Sequence, residues 1–159
     1  MSSPPVDPPG SVSIRLLGQF RVSVGSDTAT AQPTRRAAEL LQLLSLQPQR
    51  SLLNEQAVEA LWPHLDPQAG SANLRKAAHH ARQFVGQPEA VVLRGGRVFL
   101  LPDRGMDCDA VRFERAADDA LAAADARACK AAAALYVGDL LPDARYEPWT
   151  DAPRQRLRG

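Results

Sequence analysis

The sequence predicts the α+β fold class, and three observations support this. The stretch VSIRLLGQFRVSV, from residue 12 to 24, alternates loosely in apolar character and is typical of short strands. Three segments with helical spacing of apolar residues follow it. Next comes AVVLRGGRVFLLP, which is typical of a hairpin because a Gly95-Gly96 turn can take positive φ at both positions. We therefore expect a small N-terminal antiparallel sheet, three helices, a β-hairpin and a final helical region.

The first two helices are predicted from apolar spacing and from the residues that flank them. TRRAAELLQLLSLQP carries its apolar residues on one helical face and has prolines on both sides, which predicts a buried amphipathic helix. Arg35 and Arg36 at its start oppose the helix macrodipole, so either a phosphate contact or plain solvent exposure is open for them. Residues 51–53 can form a short strand. Asn54 is then a candidate cap for a second helix that ends before Pro63.

The third helix is predicted to begin at Pro67, because Asp66 can cap it and proline suits the first helical position. Gly70 in its first turn costs about 1 kcal/mol relative to alanine, which weakens the prediction there. One face of this helix is apolar and the opposite face is polar and basic. The apolar face comprises Leu74, Ala77, Ala78, Ala81, Phe84 and Val85.

Two arginines flank the predicted hairpin turn. If Gly95 and Gly96 form a two-residue loop, Arg94 and Arg97 are directly opposite each other on the same face. Like charges in this position repel each other unless an anion lies near them.

The region after residue 108 is alanine-rich and predicts two helices joined as a hairpin. Asp109 is the expected cap of the first, and Gly138 is the expected end of the second. Cys108 and Cys129 do not have the spacing of metal ligands, and we expect them to be small buried or half-buried thiols.

The charge of the chain is divided unevenly along its length. The net formal charge is only +1, but residues 67–102 hold five basic side chains and one acidic side chain. Residues 103–149 hold six basic and ten acidic side chains. Such an asymmetry favours two regions with different partners.

Several classes of function are disfavoured by the sequence. It has no lysine-containing glycine-rich phosphate loop, no nucleophile elbow and no His/Asp/Glu group with usable spacing, so we expect no enzymatic activity, metal or cofactor. His79 and His80 point about 100° apart on a helix and do not easily share one ion. No stretch approaches the roughly 20 apolar residues of a membrane helix, and residues 1–11 have the composition of a disordered tail. We expect a cytoplasmic protein without a membrane partner.

The order of sheet, three helices and glycine-tipped hairpin is that of a winged helix-turn-helix. In that architecture the third helix enters the major groove of DNA, and the hairpin, or wing, lies near the phosphate backbone or minor groove. The basic face of the third helix and the paired arginines of the wing would then meet phosphates. A solvated basic face without a ligand is the alternative interpretation.

The chain also resembles a bacterial regulator family. SIRLLGQFRV, RRAAELLQLLSLQP, EALWP…DP…ANLRKA and LYVGDLLPDARYEPWTDAPRQRLR, in this order with the glycine wing, are similar to the Streptomyces antibiotic regulatory protein (SARP) type. That type joins an OmpR/PhoB-like winged helix to a bacterial transcriptional activator domain of TPR-like helical repeats. The resemblance implies a winged helix at 12–103, a linker at 104–108, and the N-terminal part of an activator domain at 109–159. The chain would then be a fragment, a trimmed form or a short variant.

The resemblance also implies a set of site residues and partners. It implies a sequence-specific transcriptional regulator of the activator class that is associated with the bacterial nucleoid. Such a protein binds double-stranded DNA at promoter direct repeats, usually as side-by-side protomers, and contacts the RNA polymerase holoenzyme. The alternative function is a protein–protein interaction module without DNA specificity of its own. The implied recognition-helix residues are Gln68, Ala72, Asn73, Arg75, Lys76, His79 and Arg82; the wing residues are Arg94, Gly95, Gly96 and Arg97; the polymerase-contact loop is Pro63, His64, Leu65 and Asp66.

Overall fold

The computed structural model describes residues 11–25, 27–28, 33–103, 105–138, 140–141 and 147–158. The predicted tail lies outside these ranges except for Ser11. The described residues form a mixed α+β fold with six α-helices, one 3₁₀ helix and two small sheets. In chain order the elements are β1 Val12–Arg15, β2 Arg21–Val24, β3 Asp27–Thr28, α1 Arg35–Ser45, β4 Ser51–Leu53, α2 Asn54–Leu61, α3 Pro67–Val85, β5 Val91–Arg94, β6 Arg97–Leu100, β7 Met106–Cys108, α4 Asp109–Ala122, α5 Ala126–Ala133, the 3₁₀ helix Pro148–Thr150 and α6 Asp151–Arg158.

Helices α1, α2 and α3 form the centre of a winged-helix-like arrangement. The Thr34 side chain caps α1 by accepting a hydrogen bond from Ala37 N at 3.2 Å. The expected cap of α2 is wrong by one residue. Leu53 is the N-cap, its N–H donates to Gln56 Oε1 at 3.0 Å, and Asn54 is already the first helical residue. The three helices share one core, to which α1 contributes the fully buried Leu40, Leu41 and Leu44, among others.

Helix α3 begins and packs as its sequence predicts. Asp66 Oδ1 accepts a hydrogen bond from Ala69 N at 2.9 Å, and Pro67 occupies the first turn. The left-handed Gly86 ends the helix, at φ 77°. The buried residues of the helix are Gly70, Leu74, Ala77, Ala78, Ala81 and Val85.

Gly70 is explained by the approach of α2. A Cβ atom at position 70 would be 2.3 Å from Val58 Cγ1, far inside van der Waals contact. The glycine therefore lowers helix propensity locally but lets α3 pack closely on α2.

The second sheet has the order β4-β6-β5 and contains the predicted hairpin. Arg94 and Arg97 are Cα partners on either side of the turn, as expected. Gly95 and Gly96 have φ of 60° and 77°, and the space around both is open, so the backbone conformation alone favours glycine here.

The first sheet extends beyond the N-terminal segment. Strands β3, β2 and β1 are antiparallel as predicted, but β7 adds to the other side of β1 in parallel, with Ile14 opposite Cys108. Three residues of the segment expected to be a linker thus form a strand. Cys108 is buried there, and burial raises the pKa of its thiol to about 11.

Asp109 has a different role from the expected helix cap. The N-cap of α4 is Cys108, and the Asp109 carboxylate instead accepts hydrogen bonds from the backbone of the β1 end. Leu16 N donates to Oδ1 at 2.7 Å and Leu17 N donates to Oδ2 at 3.2 Å. One side chain therefore holds the start of α4 against the N-terminal sheet.

The C-terminal segment contacts the same place on the N-terminal sheet. Leu17 forms an antiparallel bridge with Leu140, and Leu141 N donates to Leu16 O at 2.9 Å. The buried Arg154 of α6 donates to the carbonyls of Leu140 and Leu141 at 3.1–3.3 Å. Two later segments, Asp109 and residues 140–141, thus contact the backbone at residues 16–17, and Arg154 holds the second of them.

Helices α4 and α5 pack as a helical hairpin. The ring centroid of Phe113 on α4 lies 5.2 Å from that of Tyr136, which follows α5 in the chain. Asp125 caps α5 by accepting from Arg127 N and Ala128 N. The predicted end of this helix is wrong: α5 stops at Ala133, and Gly138 instead lies against Gly18, where a Cβ would be 2.9 Å from the Gly18 Cα.

We expect Gly70→Ala to destabilise the protein, because overpacking costs about 1–3 kcal/mol and exceeds the gain in helix propensity. Val58→Ala in the same chain removes the clashing methyl group. The double variant should therefore be more stable than the sum of the single changes predicts, as measured by urea unfolding. Additive effects would contradict a close contact between the two positions.

We expect Asp109→Ala to lower the free energy of unfolding by about 2–3 kcal/mol, because two backbone donors lose a charged acceptor. Asp118→Ala on the same helix is the matched control, since its exposed side chain should shift stability by no more than about 0.5 kcal/mol. Equal effects of the two changes would show that the contact to β1 contributes nothing.

Candidate nucleic-acid interface

The exposed face of α3 is polar and basic, while the opposite face is buried in the core. The predicted recognition residues Gln68, Ala72, Arg75, Lys76 and His79 are exposed, and Asn73 and Arg82 are half-buried. The orientation of this face is fixed by the Asp66 cap and by the buried small residues of α3, which pack against α1 and α2.

Arg82 differs from the other predicted contacts because its guanidinium already has a partner. Its Nη1 donates to the carbonyl of Val91 at 2.8 Å. Since Val91 begins the wing, Arg82 joins the last turn of α3 to the base of the hairpin.

The two wing arginines are oriented by different neighbours. The Arg94 guanidinium lies over the ring of Phe99, with its carbon 5.1 Å from the ring centroid, in a cation–π contact. Arg97 Nη2 donates to Ser51 Oγ at 3.3 Å. Neither contact neutralises the positive charge, so the hairpin keeps both charges available to an anion.

The wing turn is fixed to the start of α2. Asn54 N donates to the Gly96 carbonyl at 3.0 Å. This bond holds the turn of the hairpin against α2, and the Arg82 contact holds its base against α3.

The exposed cations of α3 and the wing differ in their ion pairing from those of the C-terminal half. Within the described residues, Arg75, Lys76 and Arg94 form no ion pair. By contrast, Arg112 and Arg156 of the C-terminal half lie against Asp107 and Glu114. Unpaired exposed cations leave a positive potential at the surface.

Arg35 and Arg36 are neither free cations nor simply solvated. Both pair with Glu39, whose carboxylate is buried, and both also approach Glu147. Hydrogen bonding to Glu39 is the main cause that raises the pKa of Arg35. The four side chains join the first turn of α1 to the start of the C-terminal 3₁₀ segment, and the phosphate contact considered for the arginines is not favoured.

The predicted polymerase-contact loop lies on the surface between α2 and α3. Pro63, His64, Leu65 and Asp66 are all exposed, and Leu65 has 40% of its surface accessible, which is high for a leucine. The Asp66 carboxylate caps α3, so Pro63, His64 and Leu65 are the side chains that the loop offers to a partner.

Two side chains that shape the wing were not anticipated from the sequence. Ser51 and Phe99 hold the arginines, and they are Cα partners on neighbouring strands. The alternation of β6 indicates that Arg97 and Phe99 share a face, but the pairing of β4 with β6 spans 46 residues and has no local signal.

The histidine, cysteine and carboxylate side chains are dispersed over the described residues. Within the described residues, no group of three His, Cys, Asp or Glu side chains has an arrangement that would hold a metal. The rings of His79 and His80 lie 5.8 Å apart and tilted.

One solved structure gives a useful comparison for this architecture. The chain is similar to EmbR of Mycobacterium tuberculosis in complex with a low-affinity phosphopeptide, with a TM-score of 0.71 and 21% identity. The match covers 89% of this chain and 40% of the EmbR chain. The chain shares the fold of this part of EmbR. At this identity the likeness concerns the fold alone, and the phosphopeptide belongs to EmbR.

No protein-family model matches the sequence, and no curated protein matches it. The described residues contain no helix with both the length and the apolar character needed to cross a bilayer.

We expect Arg82→Met to lower the free energy of unfolding by about 1.5–3 kcal/mol, because it removes a charge-assisted hydrogen bond to the Val91 carbonyl. Arg75→Met is the matched control on the exposed face and should shift stability by no more than about 0.5 kcal/mol. Thermal and urea unfolding measure both. If Arg82→Met were as stable as the parent chain, Arg82 would not hold the wing.

Proposed function

We propose that this chain is the DNA-binding part of a sequence-specific transcriptional regulator. The observation that carries the proposal is the set of unpaired, exposed cations on α3 and the wing, Arg75, Lys76 and Arg94, on a winged-helix-like frame. The fold shared with EmbR supports the architecture, and the resemblance to SARP-type regulators supports the class of function.

The proposed roles follow from side-chain chemistry. Arg75 and Lys76 bind phosphate or base edges in the major groove, where Asn73, His79 and Gln68 offer hydrogen bonds to bases. Arg94 and Arg97 bind the backbone beside the groove, with the glycine turn allowing close approach. Arg82 acts indirectly by holding the wing on α3.

The proposed partners are double-stranded DNA and RNA polymerase. Two protomers side by side on direct repeats would each place an α3 in the major groove, and the exposed loop of residues 63–66 would meet the polymerase holoenzyme. The resemblance to SARP-type regulators, which carry a transcriptional activator domain, supports activation of transcription rather than repression.

A second candidate function is a protein–protein interaction module. Leu121 and Val137 in the helical C-terminal region are 69% and 75% exposed, which is unusual for large apolar side chains. A partner that covers them would need no contact with DNA.

We expect Arg75→Ala with Lys76→Ala to weaken DNA binding and to leave unfolding nearly unchanged, because both side chains are exposed. Each lost phosphate contact should flatten the slope of log K against log salt by about 0.9. Fluorescence anisotropy with labelled genomic fragments at several salt concentrations measures both quantities.

The matched control removes the same charge from the acidic half of the chain. Arg115→Ala with Lys130→Ala also deletes two exposed cations and should keep the parent affinity and salt slope. If the two double variants weakened DNA binding equally, the effect would be one of net charge, and the interface would not be α3. If the parent chain retained no DNA at low salt, the interaction-module function would stand.

A further inference from the structure

A groove outside the proposed DNA-binding face runs along α2 beside the loop that leads to α3. It has a volume of about 430 Å³, which lies within the range of about 300–1,000 Å³ found for small-molecule sites. The residues that line it include Asn54, Glu55, Val58, Glu59, Trp62 and Leu65.

The charge at the rim of this groove has one sign. Glu55 and Glu59 lie one helical turn apart on α2 and are exposed. Within the described residues neither forms an ion pair, and no lysine, arginine or histidine lines the groove. The site therefore favours a cationic group.

Two features of the walls select the same chemistry. The half-buried Trp62 side chain lines the groove, and an indole ring can bind a cation or pack on an apolar ring. Asn54 lines it too, and its buried Oδ1 has no hydrogen-bond partner among the described residues, which is costly; a turn of the side chain toward the groove would give this oxygen a donor. An ammonium group supplies both the charge and the donors.

We infer that this groove binds a small organic amine: a primary ammonium group attached to an apolar or aromatic body. The apolar body packs against Val58, Trp62 and Leu65, and the ammonium group faces Asn54, Glu55 and Glu59. A small molecule is favoured over a protein partner because the groove is concave and its volume matches that of small-molecule sites. The inference does not depend on DNA binding.

The test uses 2-phenylethylamine as the probe with the full chain. Two isosteres are the controls: 2-phenylethanol has no charge and phenylacetate has the opposite charge. For so small a ligand we expect a Kd of about 1–10 mM. The chain has two tryptophans, so the indole N–H signals in an NMR titration report separately on Trp62 in the groove and on Trp149 elsewhere. A Trp62→Phe variant assigns them.

We expect the amine to shift the Trp62 signal with saturation and to leave the Trp149 signal in place. The two controls should bind about tenfold more weakly or not at all, because they lack the charge-assisted hydrogen bonds. No saturable Trp62 shift, or an equal affinity for 2-phenylethanol, would overturn the inference.

Variants of the groove test which atoms are responsible. Glu55→Gln with Glu59→Gln should weaken the amine about tenfold, whereas Asp118→Asn with Asp119→Asn removes the same charge from α4 and should have no effect. Asn54→Asp should bind the amine several-fold more tightly, and Asn54→Leu more weakly. Equal effects of the two double variants, or an unchanged affinity in both Asn54 variants, would show that general electrostatics and not this groove holds the amine.

Discussion

Helix α3 lies so close to α2 that position 70 has no room for a Cβ atom, since Val58 Cγ1 would be 2.3 Å from it. The rest of the arrangement follows from this approach. The small residues Ala77, Ala78 and Ala81 are buried along the same helix, so α3 sits deep against α1 and α2 with its polar face directed outward. Residues of the same two helices, among them Asn54 and Ser71, line the groove described above, so its shape depends on the distance between α2 and α3.

Much of the arrangement of the three helices and the hairpin could be predicted from the sequence, because the signals for these elements are local. Apolar spacing, the Asp66-Pro67 start and the Gly95-Gly96 turn each act over a few residues, and each appears where it was expected. The parallel strand β7 was missed because its partner β1 is more than 90 residues away and three residues carry no periodicity. The position of Asp109 in the sequence suits a helix cap, but its carboxylate accepts from Leu16 N and Leu17 N, which only the tertiary structure brings near.

In the candidate site, the sequence predicts where basic residues lie but not what each of them does. A count of basic residues treats Arg75, Arg82 and Arg97 alike. In the structure Arg75 is exposed without an ion pair, Arg82 holds a backbone carbonyl and Arg97 holds a serine hydroxyl. Arginine has donors in several directions, so the sequence indicates where positive charge is concentrated but not which guanidinium is free to meet a ligand.

The position of β7 has a practical consequence for dividing the chain. A fragment that ends after the wing, near residue 103, would contain all the predicted DNA contacts but would lack β7, and it would leave one side of β1 without its hydrogen-bonded neighbour. Unpaired strand edges promote association between copies. It would also leave Leu16 N and Leu17 N without the Asp109 carboxylate. A shorter protein for biochemical work should therefore extend at least through α4, because the first sheet is completed by residues that follow the β5–β6 hairpin in the chain.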